Sequence, residues 1–188
     1  MFIQTENTPN PNTIKFHPGV EVMASGTADF RDREAATRSP LAERLFDVLG
    51  VEGVFFSQDY LSITKKEDGN WDSMKPHVLT AIMEHFVAGR PLFKDDSRAG
   101  IAEASSSTEE DSDIVRQIKE LIDTRVRPAV AEDGGDIIYR SFDDGIVKLE
   151  LYGACSGCPS STMTLKQGIE NMLKHYVPEV VAVEAVNG

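Results

Sequence analysis

The sequence predicts an α+β protein built as two small domains, and three observations carry that expectation. The stretch DDSRAGIAEASSSTEED, residues 95–111, nearly lacks large apolar side chains and is dominated by Ser and acidic residues, so it cannot bury enough surface to offset its ordering entropy. On either side of it, helix-periodic and strand-like runs alternate in unlike patterns, with no internal repeat between the two sides. The chain has 188 residues, enough for two modest cores. The expected boundaries are residues 1–93, a flexible acidic linker over 94–112, and residues 113–188.

In the first region TPNPN reads as a turn-rich lead-in to a strand at TIKFHP. RSPLAERLFDVLG reads as a helix with Ser39 as its cap, Pro40 in its first turn and Gly50 just past its end. Leu41, Leu45 and Val48 form its inward stripe. VEGVFFS and YLSITKK suggest two strands, followed by a helix near residues 73–88 in which Val78, Ile82 and Phe86 recur at i, i+4 and i+8. The lone tryptophan, Trp71, fits a packing anchor. Together these make a small mixed α/β or α+β unit.

The second region opens with SDIVRQIKELIDTRVRP, where Ile114, Ile118, Leu121 and Ile122 define one face and Pro128 ends the pattern. EDGGD makes a helix-to-strand turn, with a direct chemical role for Asp133 or Asp136 as the lesser alternative. IIYRSF and IVKLELY flank Asp143-Asp144-Gly145 as a β-hairpin, in which Val147, Leu149 and Leu151 alternate. A second helix carries Leu165, Ile169, Met172, Leu173 and Tyr176, and the apolar run VVAVEAV closes the region. The order is helix, strand, strand, helix, strand, with GACSGCPSS, residues 153–161, between the second strand and the second helix.

Composition narrows the function. Net charge is −12, and the segments 1–93, 94–112 and 113–188 each carry −4. No basic stripe is available for nucleic acid, and no polybasic anchor for a membrane surface. No run approaches the ~18–20 apolar residues of a membrane span. The start, MFIQTENTPNPN, has neither a basic region nor a continuous apolar core, so it resembles no secretory or transit leader; a cytoplasmic protein is expected.

Cys155 and Cys158 are the only two cysteines in the chain. Free N–H groups of the second helix's first turn should point at them, and the positive end of its dipole favours thiolate. Gly153 and Gly157 allow close backbone approach or positive φ, Pro159 loses no needed donor at a helix start, and Ser160 and Ser161 add hydroxyls. An iron–sulfur cluster and a structural zinc both want about four ligands, whereas a redox dithiol wants two. A helix and hairpin precede this CxxC, unlike the βαβ context of a thioredoxin motif. His17, His77, His85 and His175 are the other soft candidates, but none lies near the loop in sequence. Symmetric pairing of two chains, each giving Cys155 and Cys158, is the simpler source of four thiolates. Iron–sulfur carriage, thiol–disulfide exchange and a zinc-stapled module remain open on residues alone.

RPAVAEDGGD, the hairpin and GACSGCPSSTMTLKQGIE closely resemble the C-terminal domain of NifU and of Nfu-type iron–sulfur cluster scaffold and carrier proteins, over about residues 113–188. TENTPNPNTIKF, SPLAERLFDVLGVEGVFF and the run through WDSMKPHV resemble the separate N-terminal domain of Nfu proteins. The resemblance implies a non-catalytic carrier that binds a [4Fe–4S] cluster, bridged between two subunits through the CxxC of each, and leaves a [2Fe–2S] form open. The implied ligands are Cys155 and Cys158. The implied partners are a second copy, apo iron–sulfur client proteins and upstream cluster-assembly machinery. The separate cysteine-bearing assembly domain of full-length NifU has no counterpart here, which favours carriage over primary synthesis.

Overall fold

A computed structural model describes residues 1–94, 101–102, 112–154 and 159–186, giving backbone alone at 101–102 and 159–162. The chain divides into two compact units, Met1–Glu103 and Ala104–Gly188.

The first unit contains β1 (Gln4–Asn7), β2 (Thr13–His17), β3 (Thr27–Phe30), α1 (Arg33–Ala36), α2 (Pro40–Phe46), β4 (Val51–Phe56), β5 (Leu61–Lys65), α3 (Trp71–Val87) and β6 (Ile101–Ala102). Its strands form one sheet in the order β1-β2-β5-β4-β3-β6, with every neighbouring pair antiparallel. That pattern resolves the mixed reading to α+β. One sheet face presents Ile14, Phe16, Ala28, Phe30, Val54, Phe56, Leu61 and Ile63, and the helices cover it with Ala36, Leu41, Leu45, Met74, Val78 and Ile82. Ser39 caps α2 as expected, its Oγ accepting the Ala42 N–H at 3.2 Å, a contact worth ~1 kcal/mol. Val48 lies beyond the end of α2 but still packs against this core. Trp71 packs there too, its ring 6.3 Å from that of Phe16.

β6 falls inside the stretch whose composition reads as a linker. Its backbone pairs with β3, Thr27 opposite Ala102 and Ala28 opposite Ile101, so this apolar dipeptide belongs to the sheet rather than to a tether.

The second unit runs α4 (Asp113–Leu121), a π-helical turn (Ile122–Val126), α5 (Arg127–Glu132), β7 (Gly135–Asp143), β8 (Ile146–Gly153), α6 (Pro159–Tyr176) and β9 (Ala182–Ala185). β7 and β8 form the expected hairpin, and β9 adds parallel to β8, in the order β7-β8-β9. The expectation that Pro128 ends the first helix is corrected. The helical path continues through Pro128 to Glu132, because the chain widens just before it: the Arg127 N–H reaches back five residues to the Ile122 carbonyl. The wide turn makes room for the proline ring, and Pro128 sits in the first turn of α5, where a missing donor costs little.

The same turn serves the core. Ile118, Ile122, Val126 and Val130 recur every fourth residue, and all four are buried. A regular helix would rotate such a stripe by about 40° per step, and the π-turn brings it back over the sheet. There it meets Ile137, Val147, Leu149 and Leu151 from β7 and β8, Ile169 and Leu173 from α6, and Val183 from β9. Glu170 ties α6 to β9 by accepting the Val183 N–H at 3.2 Å, and Lys174 Nζ at 2.8 Å.

Candidate metal centre

Cys155 and Cys158, with Gly157, lie outside the described residues. What the structure supplies is their two anchors and the groups that hold those anchors. β8 delivers the chain to Gly153, at φ 66°, a left-handed conformation that costs a glycine little and other residues more. α6 begins at Pro159 and runs for 18 residues, so four residues bridge the gap between Ala154 and the positive end of a five-turn helix.

The EDGGD segment forms the other wall of the loop's root. Asp133 ends α5, its N–H donating to the Val130 carbonyl at 3.1 Å, and the Gly134 N–H donates to the Ala131 carbonyl at 3.0 Å. Gly135 then stands opposite Gly153 and Asp136 opposite Tyr152. The Ala154 N–H donates to the Gly134 carbonyl at 3.2 Å. The turn expected from this motif is therefore present, and it is hydrogen-bonded to the residue that immediately precedes Cys155.

Asp136 has a further role that sequence reasoning passed over, because its partner is nine residues away across the turn. Arg127 Nε donates to Asp136 Oδ1 at 2.9 Å and Nη2 donates to Oδ2 at 2.7 Å, while the Ile137 N–H also reaches Oδ1 at 2.8 Å. Asp123, one turn back, sits 3.6 Å from Nη1. Burial pulls the Arg127 pKa down, but the hydrogen bonds and charges of Asp136 and Asp123 outweigh it and leave the guanidinium held above its ordinary value. The one sequence signal was the joint presence of RP and GGD in a single motif. On the neighbouring strands Arg140 contacts the Glu150 carboxylate and donates to the Tyr152 hydroxyl at 2.7 Å. Burial first, and then Glu150, push the Tyr152 phenol up.

The histidines take other places. His17 is 3.0 Å from Glu6 and its ring lies 5.8 Å from Tyr60. His77 lines a groove between α2 and α3. His85 is buried in α3, and burial together with Arg90 lowers its pKa. His175 sits in the last turn of α6, edge-on to Tyr176. Among the described residues no group of three or more His, Cys, Asp or Glu is placed to hold a metal ion.

With these anchors in view, family comparison is decisive. The profile "Scaffold protein Nfu/NifU N terminal" matches residues 3–89, and the profile "NifU-like domain" matches residues 118–184. A human protein named "NFU1 iron-sulfur cluster scaffold homolog, mitochondrial" is 52% identical over 187 residues, covering 99% of this chain and 72% of that protein. The chain belongs to the Nfu family.

Other Nfu relatives agree. "NifU-like protein 4, mitochondrial" of Arabidopsis thaliana is 53% identical over 186 residues, which is 98% of this chain and 65% of that protein. An NFU1 homologue of Drosophila willistoni is 50% identical over 187 residues, covering 99% of this chain and 64% of its own length. The chain thus spans about two thirds of the length of several Nfu relatives it matches. All three are named as mitochondrial, which overturns the cytoplasmic placement and points to the mitochondrion. That placement rested on the composition of the first dozen residues, and the composition of a folded domain carries no address. Among the described residues no helix is long and apolar enough to cross a membrane.

Proposed function

We propose that this Nfu-family chain is an iron–sulfur cluster scaffold and carrier whose cargo is a [4Fe–4S] cluster held by Cys155 and Cys158 of each of two copies. What supports this reading is that residues 155–158, which hold the CxxC, join in sequence a strand end hydrogen-bonded to EDGGD and the N-terminus of an 18-residue helix. Such a site favours thiolates and offers amide hydrogens to an anionic cluster. Two thiolates from one chain leave a cluster half-ligated, and a second copy completes the four.

The chemistry is ligand exchange rather than catalytic turnover. Thiolates of an apo client displace the carrier's sulfurs one at a time, and each protomer releases only its own half. In this reading residues 113–188 carry the cluster, residues 1–93 together with the Ile101–Ala102 strand engage partners among the assembly machinery or clients, and the rest of residues 94–112 joins the two.

Anaerobic reconstitution with iron and sulfide tests the ligand set. Wild-type protein should turn brown and transfer its cluster to an apo acceptor, while Cys155→Ala and Cys158→Ala should each lose the chromophore. A variant that retained a full cluster would show that the ligands lie elsewhere. Zinc without iron in protein purified under anaerobic conditions would favour a structural module instead.

A further inference from the structure

The turn that follows α2 pushes one large apolar side chain into solvent. Leu49 is 94% exposed, more than any other large apolar side chain among the described residues. The backbone around it is tied down: the Val48 N–H donates to the Leu45 carbonyl at 3.1 Å, the Val51 N–H to the Val48 carbonyl at 3.2 Å and the Lys66 N–H to the Gly50 carbonyl at 2.8 Å. Gly50 has φ +98°, and a Cβ there would stand 2.9 Å from Met74 Sδ, so glycine lets the chain turn here against α3 where another residue would be strained. Leu49 is thus a knob on a fixed turn. Beside it lies a groove of about 490 Å³ between α2 and α3, with Val48, Met74 and Ala81 in its lining and Leu49 at its rim. Much of the polar lining is already engaged within the chain. Ser73 Oγ donates to the Asn70 carbonyl and Thr80 Oγ1 to the Pro76 carbonyl, each at 2.9 Å, while Arg44 pairs with Glu84 and Asp47 with Arg33. An apolar side chain can enter such a groove without stripping water from unpaired charges.

We propose that a second copy of this chain occupies the groove, with Leu49 of each copy seated in the groove of the other. A surface that carries a knob beside its own hole is self-complementary about a two-fold axis. Charge favours the same occupant. The chain carries −12 and its first 93 residues −4, so two copies repel over most of their surfaces. Around the groove, however, Arg33, Arg44, Asp47 and Glu84 sum to zero. With α2 of the two copies antiparallel, Arg44 of each lies toward Asp47 of the other. One knob and one hole per copy make a small contact of the transient class, so pairing is expected at about 0.1–1 mM and is lost at the low micromolar concentrations of native mass spectrometry. The contact goes beyond cluster carriage, since no thiolate takes part in it, and it lets two copies meet before a cluster joins them.

The test uses the full chain as its Cys155→Ala/Cys158→Ala variant, so that no thiolate can bridge two copies and the outcome is independent of the cluster reading. Sedimentation velocity from low micromolar to about 1 mM protein should show the average mass rising from 20.7 kDa toward twice that value. Leu49→Asp and, separately, Thr80→Arg, which fills the groove from its rim, should each hold the chain at monomer mass with an unchanged circular dichroism melt. Both positions are exposed, and either variant serves if the other fails to fold. In the same background, chains carrying Leu49→Cys and chains carrying His77→Cys are mixed and oxidised with diamide. They should link by a disulfide several-fold faster than Leu49→Cys chains link to Asp59→Cys chains, a control in the exposed turn between β4 and β5. A monomer at every concentration overturns the proposal. So does a dimer that the folded variants leave intact, because the copies then meet through another surface, and so does a linking rate no greater than that of the control.

Discussion

The first unit lays a six-stranded sheet against large aromatic side chains, Phe16, Phe30 and Phe56 among them, whereas the buried cluster of the second, among the described residues, is of Ile, Val and Leu drawn from its helical segments and a three-stranded sheet. The units also differ in what lies beside the core. In the first, helices cover one sheet face and the capping, as at Ser39, is local. In the second, a π-turn and a buried ion pair across the EDGGD turn tie the helical segment to the start of β7. The contrast is a division of means: the first unit is held by a core rich in aromatic side chains with local capping, and the second adds a buried charge pair that ties its helical segment to the start of β7.

That division can be broken or sharpened by experiment. Phe56→Ala, at a side chain with no exposure, should cost the first unit about 4 kcal/mol. Because Trp71 is the only tryptophan and packs in this core, its fluorescence reads the loss directly, and cluster loading on Cys155 and Cys158 should persist. Loss of the cluster in that variant would show that the units are not independent. Leu173→Ala removes a fully buried side chain from the second core and should cost about 3 kcal/mol. That change is expected in the circular dichroism melt and in iron retention, with the Trp71 transition unmoved. Gly145→Ala is expected to cost about 2 kcal/mol, since φ there is +79° and an added Cβ would stand 2.6 Å from Val181 Cγ2. Denaturant titration of the second unit measures it.

The smallest effect should be one of pH, confined to the first unit. Burial and Arg90 lower the folded-state pKa of His85 below its ordinary value. The unfolded chain therefore takes up the proton first. Stability contributed by neutral His85 is present above the unfolded pKa of about 6.5 and is lost as pH falls through the lower folded value. Midpoints followed by Trp71 fluorescence should decline from pH 7 to 5, and His85→Leu should flatten that decline. An equal slope in both proteins would assign the acid sensitivity to other groups.

How much of this was legible follows from where each signal resides. α2 could be read almost residue by residue, because Ser39, Pro40 and the Leu41/Leu45 spacing are local chemistry. The β7–β8 hairpin was equally plain from Asp144-Gly145, both at positive φ, between alternating strands. β1 was missed because QTEN is exposed at all four positions and shows no alternation. β3 was missed because it is four residues long and its TADF holds a polar Asp29. Both exist through pairing with distant strands, which no local window contains. At the candidate site, the CxxC and the turn character of EDGGD were visible as pattern. The Arg127–Asp136 fork was not, because it depends on a π-turn that propensity alone does not announce.

In the proposed function one cluster is shared by two copies of this chain. Native mass spectrometry of anaerobically reconstituted protein tests it most directly. The expected species is a dimer carrying a single cluster of about four irons and four sulfides, which falls apart to bare monomers when Cys155 or Cys158 is replaced by Ala. A monomer carrying a complete cluster, or a dimer that persists unchanged in those variants with iron still bound, would contradict it.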